Sequence, residues 1–354
     1  MDTTVPLQRR GRGAAENPAN RFDRLHAEID PGELGEDERR SVKTEFFRDT
    51  TRKILSENDS PDIPFRFGLN PYRGCEHGCI YCYARPTHEY LGFSAGLDFE
   101  TKIVVKHDAA RLLSEVFQKP SWKPQMVCLS GNTDCYQPIE RKLKITRGCL
   151  EVFLEHRNPV GIITKNALIT RDIDLLQEMA RFNIVRVMVS VTSLRDEITG
   201  KMEPRTSRPA ARLKAIQKLA EAGVPVGVNV APIIPGLTDE EIPEILKAAA
   251  EHGAQSAGYT VVRFPGAVEQ LFTAWLKRTF PDRADKVLNR IRALRGGKLV
   301  ENRFHKRMQT EGEWGNVLKQ VFRAARTRYG LNQRRPPVST EHFRRLTGGQ
   351  MDLF

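Results

Sequence analysis

Six short apolar runs, separated by longer stretches with apolar residues at helical spacing, constrain this fold more than any other feature of the chain. The runs are Phe67–Asn70, Met126–Leu129, Val160–Ile163, Val185–Val191, Val224–Val230 and Tyr259–Val262. Between them, Leu112, Leu113, Val116 and Phe117 share one helical face behind Asp108, which reads as an N-cap. Cys149, Val152, Phe153 and His156 share another face within 148–156, and Ile173, Leu176, Met179 and Ala180 a third within 172–182. Helices over 210–222 and 239–252 end at Gly223 and Gly253. Near-continuous apolar strands alternating with amphipathic helices predict parallel βαβ units, with both sheet faces covered. Six units are too few to close an eight-fold barrel. The expected fold is α/β, a partial (β/α)6 TIM-like barrel, with reactive groups on the loops at the C-terminal strand ends.

One such loop carries Cys75-Glu76-His77-Gly78-Cys79-Ile80-Tyr81-Cys82, three cysteines in a C-x3-C-x2-C spacing just after the first strand. Closely spaced thiolates hold iron–sulfur clusters. Three ligands leave one iron of a cubane open, and an open metal position is where a ligand can bind and react. Zinc is the alternative, but structural zinc sites usually close with four ligands, and His77 is the only nearby fourth.

The spacing, with aromatic Tyr81 before the last cysteine, resembles the radical S-adenosylmethionine (SAM) superfamily. The wider stretch from Asn70-Pro71-Tyr72-Arg73-Gly74 to Tyr83-Ala84-Arg85-Pro86 is similar to the branch containing spore photoproduct lyase. The resemblance implies a 4Fe-4S cluster on Cys75, Cys79 and Cys82, and S-adenosyl-L-methionine on the open iron. It also implies cleavage to a 5′-deoxyadenosyl radical, and an electron donor such as flavodoxin or ferredoxin. It places Tyr81 near the adenine. Asn132-Thr133-Asp134 looks like the lyase's Thr-Ser-Asp run, which implies contact with the SAM amino group. Thr164-Lys165 matches a Thr-Lys, which implies that Lys165 pairs with the SAM carboxylate. Ser190 ends the fourth strand. Glu203-Pro204-Arg205-Thr206-Ser207 resembles a Glu-Pro-Gly-Thr-Ser run that implies ribose contacts through Glu203. Ala231-Pro232-Ile233 matches an Ala-Pro-Ile whose backbone meets the adenine.

The lyase's hydrogen-donating cysteine falls where this chain has Gly131, which puts dimer splitting in doubt. Cys135 is the candidate for a relocated donor, with core packing as the alternative. Cys128 and Cys149 read as core.

The chain divides into an arm (1–60), the barrel (61–265), a helical region (266–333) and a tail (334–354). The arm contains Arg9-Arg10-Gly11-Arg12-Gly13 and has little apolar periodicity, so it reads as a disordered basic arm or a strap over the barrel. In the helical region Leu271, Phe272, Trp275 and Leu276 form a stripe expected to cover the barrel's open side. From Arg303 to Arg345 eleven Lys or Arg face three acids, including Lys319, Arg323, Arg326 and Arg328 on one helix expected near the site mouth. The net charge of +12 adds to the case for a polyanionic partner, DNA being favoured over RNA. The last five residues, Gln350-Met351-Asp352-Leu353-Phe354, resemble the pentapeptide by which bacterial repair proteins bind the DNA sliding clamp. No apolar run is long enough for a membrane span, and no secretory signal is seen. Six cysteines are too few for a disulfide scaffold, so a cytoplasmic setting is expected.

The expected function is a radical SAM enzyme acting on DNA, in repair or base modification. The alternatives are radical SAM modification of RNA or of a protein side chain, and a non-catalytic iron–sulfur protein.

Overall fold

In the computed structural model, which describes residues 9–22, 42–333 and 336–346, a seven-stranded sheet forms the frame. Six of its strands run parallel and follow one another in sequence. They are β3 (Phe67–Leu69), β6 (Val127–Leu129), β7 (Val160–Thr164), β8 (Val185–Ser190), β9 (Val226–Ile233) and β10 (Ala257–Val261). β2 (Leu55–Glu57) pairs antiparallel with β3, so β2 and β10 are the two edges and the barrel stays open. Leu69 is level with Leu129, Leu129 with Ile162, Thr164 with Val189, and Ser190 with Asn229. This register brings the loops after successive strands to one end.

Each expected strand of the barrel forms, with bounds within a few residues of those read from the sequence. The run at Ile103–Val105 becomes β5 (Lys102–Val105) of a second, small sheet. There it pairs with β1 (Glu45–Arg48), which holds the exposed Phe46 and Phe47, and with β4 (Tyr72–Arg73).

The helices are α1 (Ala109–Gln118), α2 (Ile145–His156), α3 (Ile173–Arg181), α4 (Pro209–Glu221) and α5 (Ile242–Glu251). Their apolar faces pack on the sheet in one large core that includes Phe117, Phe153, Leu176, Leu219 and Leu246. Gly223 and Gly253 follow two of them at φ of 73° and 88°, a conformation that costs glycine little. Asp108 precedes α1 but makes no side-chain cap. Its carboxylate pairs with Arg48 and Arg111 instead.

A second core lies at the strand C-termini. There α6 (Val268–Thr279) and α7 (Pro281–Ala293) bury Leu271, Phe272, Trp275 and Leu276 against Ile80, Tyr81, Ile234 and Val262. Each such side chain contributes about 1.5–3 kcal/mol when fully buried. The stripe, expected over the barrel's open side, is buried at the site end of the barrel.

The basic helix α8 (Gly312–Arg328) lies elsewhere than expected. It packs along α5, and Phe322 meets Tyr259 of β10 with ring centroids 4.5 Å apart. Past its end, the Leu331 carbonyl accepts the Ala257 N–H at 3.1 Å, at the end of β10 remote from the cysteines. Its charge covers an edge of the sheet rather than the site mouth.

The sequence 9–22, expected as a disordered arm or a strap, is a strap. Its second half runs along the segment after the cysteines: Glu16 O accepts Leu97 N–H, Asn17 and Asp98 exchange two hydrogen bonds, and the Pro18 carbonyl accepts the Ser94 hydroxyl. Gln350–Phe354 and Arg334-Arg335 lie outside the described residues. Among the described residues no helix is long and apolar enough to cross a membrane.

Candidate active site

The chain leaves β3 at Leu69, crosses β4 and enters the cysteine loop through Gly74. Gly74 has φ +77°, and a Cβ there would stand 2.9 Å from the Phe99 carbonyl, so the tight entry requires glycine. Cys75 N–H donates to the Phe99 carbonyl at 2.8 Å, and Cys82 N–H to the Cys79 carbonyl at 3.2 Å. Cys75 and Cys79 are buried, Cys82 is partly so, and none is in a disulfide. The three thiols lie within electrostatic reach of one another. Burial pushes the thiols of Cys79 and Cys82 up, while Lys165, and for Cys82 also Arg85, favour the thiolates. A metal group binding there deprotonates them outright. Among the described residues no three His, Cys, Asp or Glu side chains are gathered as for a single ion.

The loop is held from both sides. Glu76 accepts Ile139 N–H at 3.0 Å and the Thr44 hydroxyl at 3.1 Å, and pairs with Arg205 at 3.1 Å. Arg85 has no exposed side-chain surface. It donates to the Cys79 carbonyl at 2.9 and 3.1 Å and to the carbonyls of Ala95 and Gly96. Its charge is met by Glu100, also fully buried. Glu100 in turn accepts the N–H groups of Gly13 and Ala14 at 3.0 and 2.8 Å. Arg12 donates to the Glu100 carbonyl, the Val42 carbonyl and Thr44. The strap thus belongs to the wall of the cysteine loop, and Ala14 packs with Cys79, Ile80 and Tyr81.

The residues expected to meet SAM do gather around the loop, but several are already engaged. Asp134 accepts the Thr164 hydroxyl at 2.7 Å, Lys165 N–H at 2.8 Å and Tyr136 N–H at 2.9 Å, and faces His77 Nδ1 at 3.4 Å. Burial opposes its charge, yet His77 and the backbone donors outweigh it and hold the carboxyl at about 2. Burial likewise opposes the His77 imidazolium, and Asp134 and Cys75 outweigh it, raising His77 to about 10. Thr133 donates to the Gly74 carbonyl at 2.7 Å. Asp134 and Thr133 therefore brace the loop, and Asn132, whose side chain is exposed, is the member of that run left to face a ligand.

Lys165 carries its ammonium 5.8 Å from the centre of the Tyr81 ring, within reach of the charges of Cys79, Cys82 and Glu203. Glu203 is buried. It accepts the Tyr81 hydroxyl and the Thr192 hydroxyl, and pairs with fully buried Arg212. Burial opposes the Glu203 carboxylate, but Arg212 and Lys165 overcome it and lower its pKa. Glu203 positions Tyr81 rather than presenting a free carboxylate to a ribose. The Ser190 carbonyl accepts Arg212 at 3.1 Å, and the Ala231 carbonyl accepts the Thr192 hydroxyl at 3.2 Å. Ser190 ends β8 as expected, whereas Ala231, expected after the fifth strand, lies within β9.

Cys135 has no exposed surface and lies in the main core with Tyr72 and Leu129; burial pushes its thiol well up. That placement favours packing over the hydrogen-donor role. Arg12, Gly13, Arg85, Glu100, Thr192 and Arg212 were not singled out by sequence reasoning. Only Arg85 carried a signal, its place in the lyase-like stretch.

An open barrel of six parallel strands, with a cysteine trio on the loop after the first of them, defines a class of fold. The chain belongs to the radical SAM superfamily, whose family model matches residues 69–249. Enzymes of that superfamily use a 4Fe-4S cluster and SAM, and require an electron donor. An uncharacterised protein of Mycobacterium tuberculosis is 38% identical over 222 residues, 62% of this chain and 65% of the relative. The aligned part is thus under two thirds of that relative's length. An uncharacterised protein of Methanocaldococcus jannaschii is 27% identical over 199 residues, 56% of this chain and 71% of its own. Among solved structures, a spore photoproduct lyase variant matches with a TM-score of 0.58 at 18% identity, covering 81% of this chain and 79% of the lyase. Another lyase variant, with bound AdoMet and dinucleoside spore photoproduct, matches with the same TM-score and identity over 80% and 78%. At that identity the likeness is one of fold.

Proposed function

We propose that this chain is a radical SAM enzyme that acts on DNA, in lesion repair or base modification, with Cys75, Cys79 and Cys82 as the cluster ligands. The observation that carries the reading is the gathering of three unbridged thiols at the mouth of the open barrel, with the Lys165 ammonium beside Cys79 and Cys82. The donor set fits a cubane, since three soft thiolates backed by two cations leave one metal position open. When bound, the reduced cluster supplies the electron that splits SAM into methionine and a hydrogen-abstracting 5′-deoxyadenosyl radical. The protein's part is to hold, orient and exclude water. Lys165 pairs with the SAM carboxylate, and Asn132 faces its amino group. Tyr81, locked by Glu203, flanks the adenine, and Ser190 and the Ala231 backbone line the nucleoside. Glu203 and Arg212 fix these groups from behind, and α6 and α7 keep water from that side.

DNA is supported by the +12 charge and by the lyase-like runs. The clamp-like ending Gln350–Phe354 supports recruitment to replicating or repaired DNA. The same charge suits RNA, so the test uses both polymers. Deuterated DNA or RNA is incubated anaerobically with reconstituted protein, reductant and SAM, and deuterium is followed into 5′-deoxyadenosine. Label from DNA alone supports the reading. Label from RNA alone, or from neither polymer despite SAM cleavage, removes DNA as substrate.

A further inference from the structure

Two arginines stand at the rim of the site where β10 ends. Arg263 follows the last turn of that strand, is partly buried, and has no hydrogen bond or ion pair among the described residues. Its guanidinium lies 5.3 Å from the centre of the Tyr83 ring. Tyr83 follows Cys82, is 48% exposed, and donates its hydroxyl to the Gly131 carbonyl. The ring is thereby fixed between the cysteine loop and the loop after β6. Behind Arg263 lies Arg295, 7% exposed, which donates to the Val262 carbonyl at 2.6 Å and leaves its Nε without a partner.

A neighbouring arginine shows the contrast. Arg307 places Nε on the Asp62 carboxylate at 2.7 Å and reaches Ser60 at 2.5 Å. His305 N–H donates to the same carboxylate at 2.8 Å. This contact ties the 303–308 loop to the turn between β2 and β3, and so spans the open seam from one sheet edge toward the other. Arg307 is therefore neutralised, and exposed Phe304 lies beneath it at 4.5 Å. Among the described residues no carboxylate pairs directly with Arg263 or Arg295. Burial disfavours the charged form of each; Arg307 adds to this at Arg263 and Arg263 adds to it at Arg295, and the more distant carboxylates of Asp62 and Glu301 offset it without overcoming it. Desolvated cations side by side are costly unless an anion satisfies them. Exposed aromatic faces beside unpaired arginines are how single strands are held, with the bases stacked and the phosphates paired.

We propose that Arg263, above Tyr83 and in front of Arg295, is the seat for one backbone phosphate of a single nucleic-acid strand, so that the adjoining base stacks on Tyr83 at the mouth of the site. This rests on the nucleic-acid reading above and adds the place where the strand is gripped. The planar guanidinium suits a phosphate through two parallel hydrogen bonds.

The test uses the full chain, anaerobically reconstituted and with SAM present. Binding of a short fluorescein-labelled single-stranded oligodeoxynucleotide is followed by anisotropy at several salt concentrations. Arg263→Gln should weaken binding roughly tenfold or more. It should also flatten the plot of log affinity against log salt by about 0.7, the loss of one phosphate contact. Arg263→Lys should keep the salt slope and lose part of the affinity. Iron content and melting temperature, measured alongside, show that both variants are folded. Equal affinity and slope in wild type and Arg263→Gln would overturn the seat while leaving the nucleic-acid reading in place. Displacement of the oligonucleotide by an equal charge of acidic peptide would overturn the phosphate assignment. If wild type binds no oligonucleotide, the nucleic-acid reading falls and the seat falls with it.

Discussion

Glu100 and Arg85 form an ion pair 2.5 Å apart in which neither side chain has any solvent exposure. Between them they connect the N-terminal strap to the Cys79 carbonyl. Removing one partner of a buried pair leaves an uncompensated charge, which costs about 3–5 kcal/mol. Glu100→Gln should therefore lower unfolding stability by that order. Adding Arg85→Met to it should cost less than the sum of the two single changes, because the charge left stranded is then gone. Urea denaturation of the set checks this, and simple additivity would mean that the pair is not coupled.

The strap should also matter for iron. A Cβ on Gly13 would stand 1.9 Å from the Gly78 carbonyl, a backbone atom between Cys75 and Cys79 that cannot swing away. Gly13→Ala should displace the strap, cost about 1–3 kcal/mol as overpacking does, and lower the iron retained per chain after desalting. Iron retention equal to wild type would show that the strap and the loop are independent.

Lys165 favours the Cys79 and Cys82 thiolates, but the sulfurs themselves hold the iron, so the larger effect of losing the ammonium should fall on SAM. Charge-assisted hydrogen bonds contribute about 1.5–3 kcal/mol, so Lys165→Met should raise the SAM dissociation constant roughly tenfold or more at nearly unchanged iron content. Equilibrium dialysis with labelled SAM measures it, and an unchanged constant would remove the carboxylate role.

His88 sets an acid limit on the fold. Its ring is buried between Phe93 and Phe99, at centroid distances of 5.2 and 5.6 Å. Burial lowers its pKa from 6.5 to about 4. Below about 6.5 the unfolded chain takes up the proton and the folded chain resists until about 4. The unfolded state thus binds more protons in that window, and stability falls as the pH falls through it. The loss from this ring is on the order of 3 kcal/mol. Above 6.5 the ring is neutral in both states and contributes no slope. In His88→Phe the fall between pH 6.5 and 4 should be shallower than in wild type. Parallel slopes for the two proteins in denaturant titrations would contradict this.

How far the sequence could be read depended on the range of the interactions. The six strands were legible because each apolar run is local, and the ends of α4 and α5 because Gly223 and Gly253 mark them. The position of the site was legible because a strand end and a cysteine spacing are both local too. Side-chain partners were not. Asp134 and Glu203 occupy the expected loops, yet His77, far along the chain, faces the first carboxylate, and Tyr81, farther still, engages the second together with the nearer Arg212. Asp108 stands at the expected helix start and turns to Arg48 and Arg111. The strap was hidden for the same reason. Arg9-Arg10-Gly11-Arg12-Gly13 has the composition of a disordered arm, and its order comes from Glu100, a residue more than 80 positions away.

The measurement that bears most directly on the account is metal analysis with electron paramagnetic resonance on anaerobically purified, reduced protein, with and without SAM. The account predicts about four irons per chain on three cysteine ligands, a reduced-cluster signal that shifts when SAM is added, and loss of that signal in Cys79→Ala. Zinc in place of iron, or an iron–sulfur signal that SAM leaves unmoved, would contradict it.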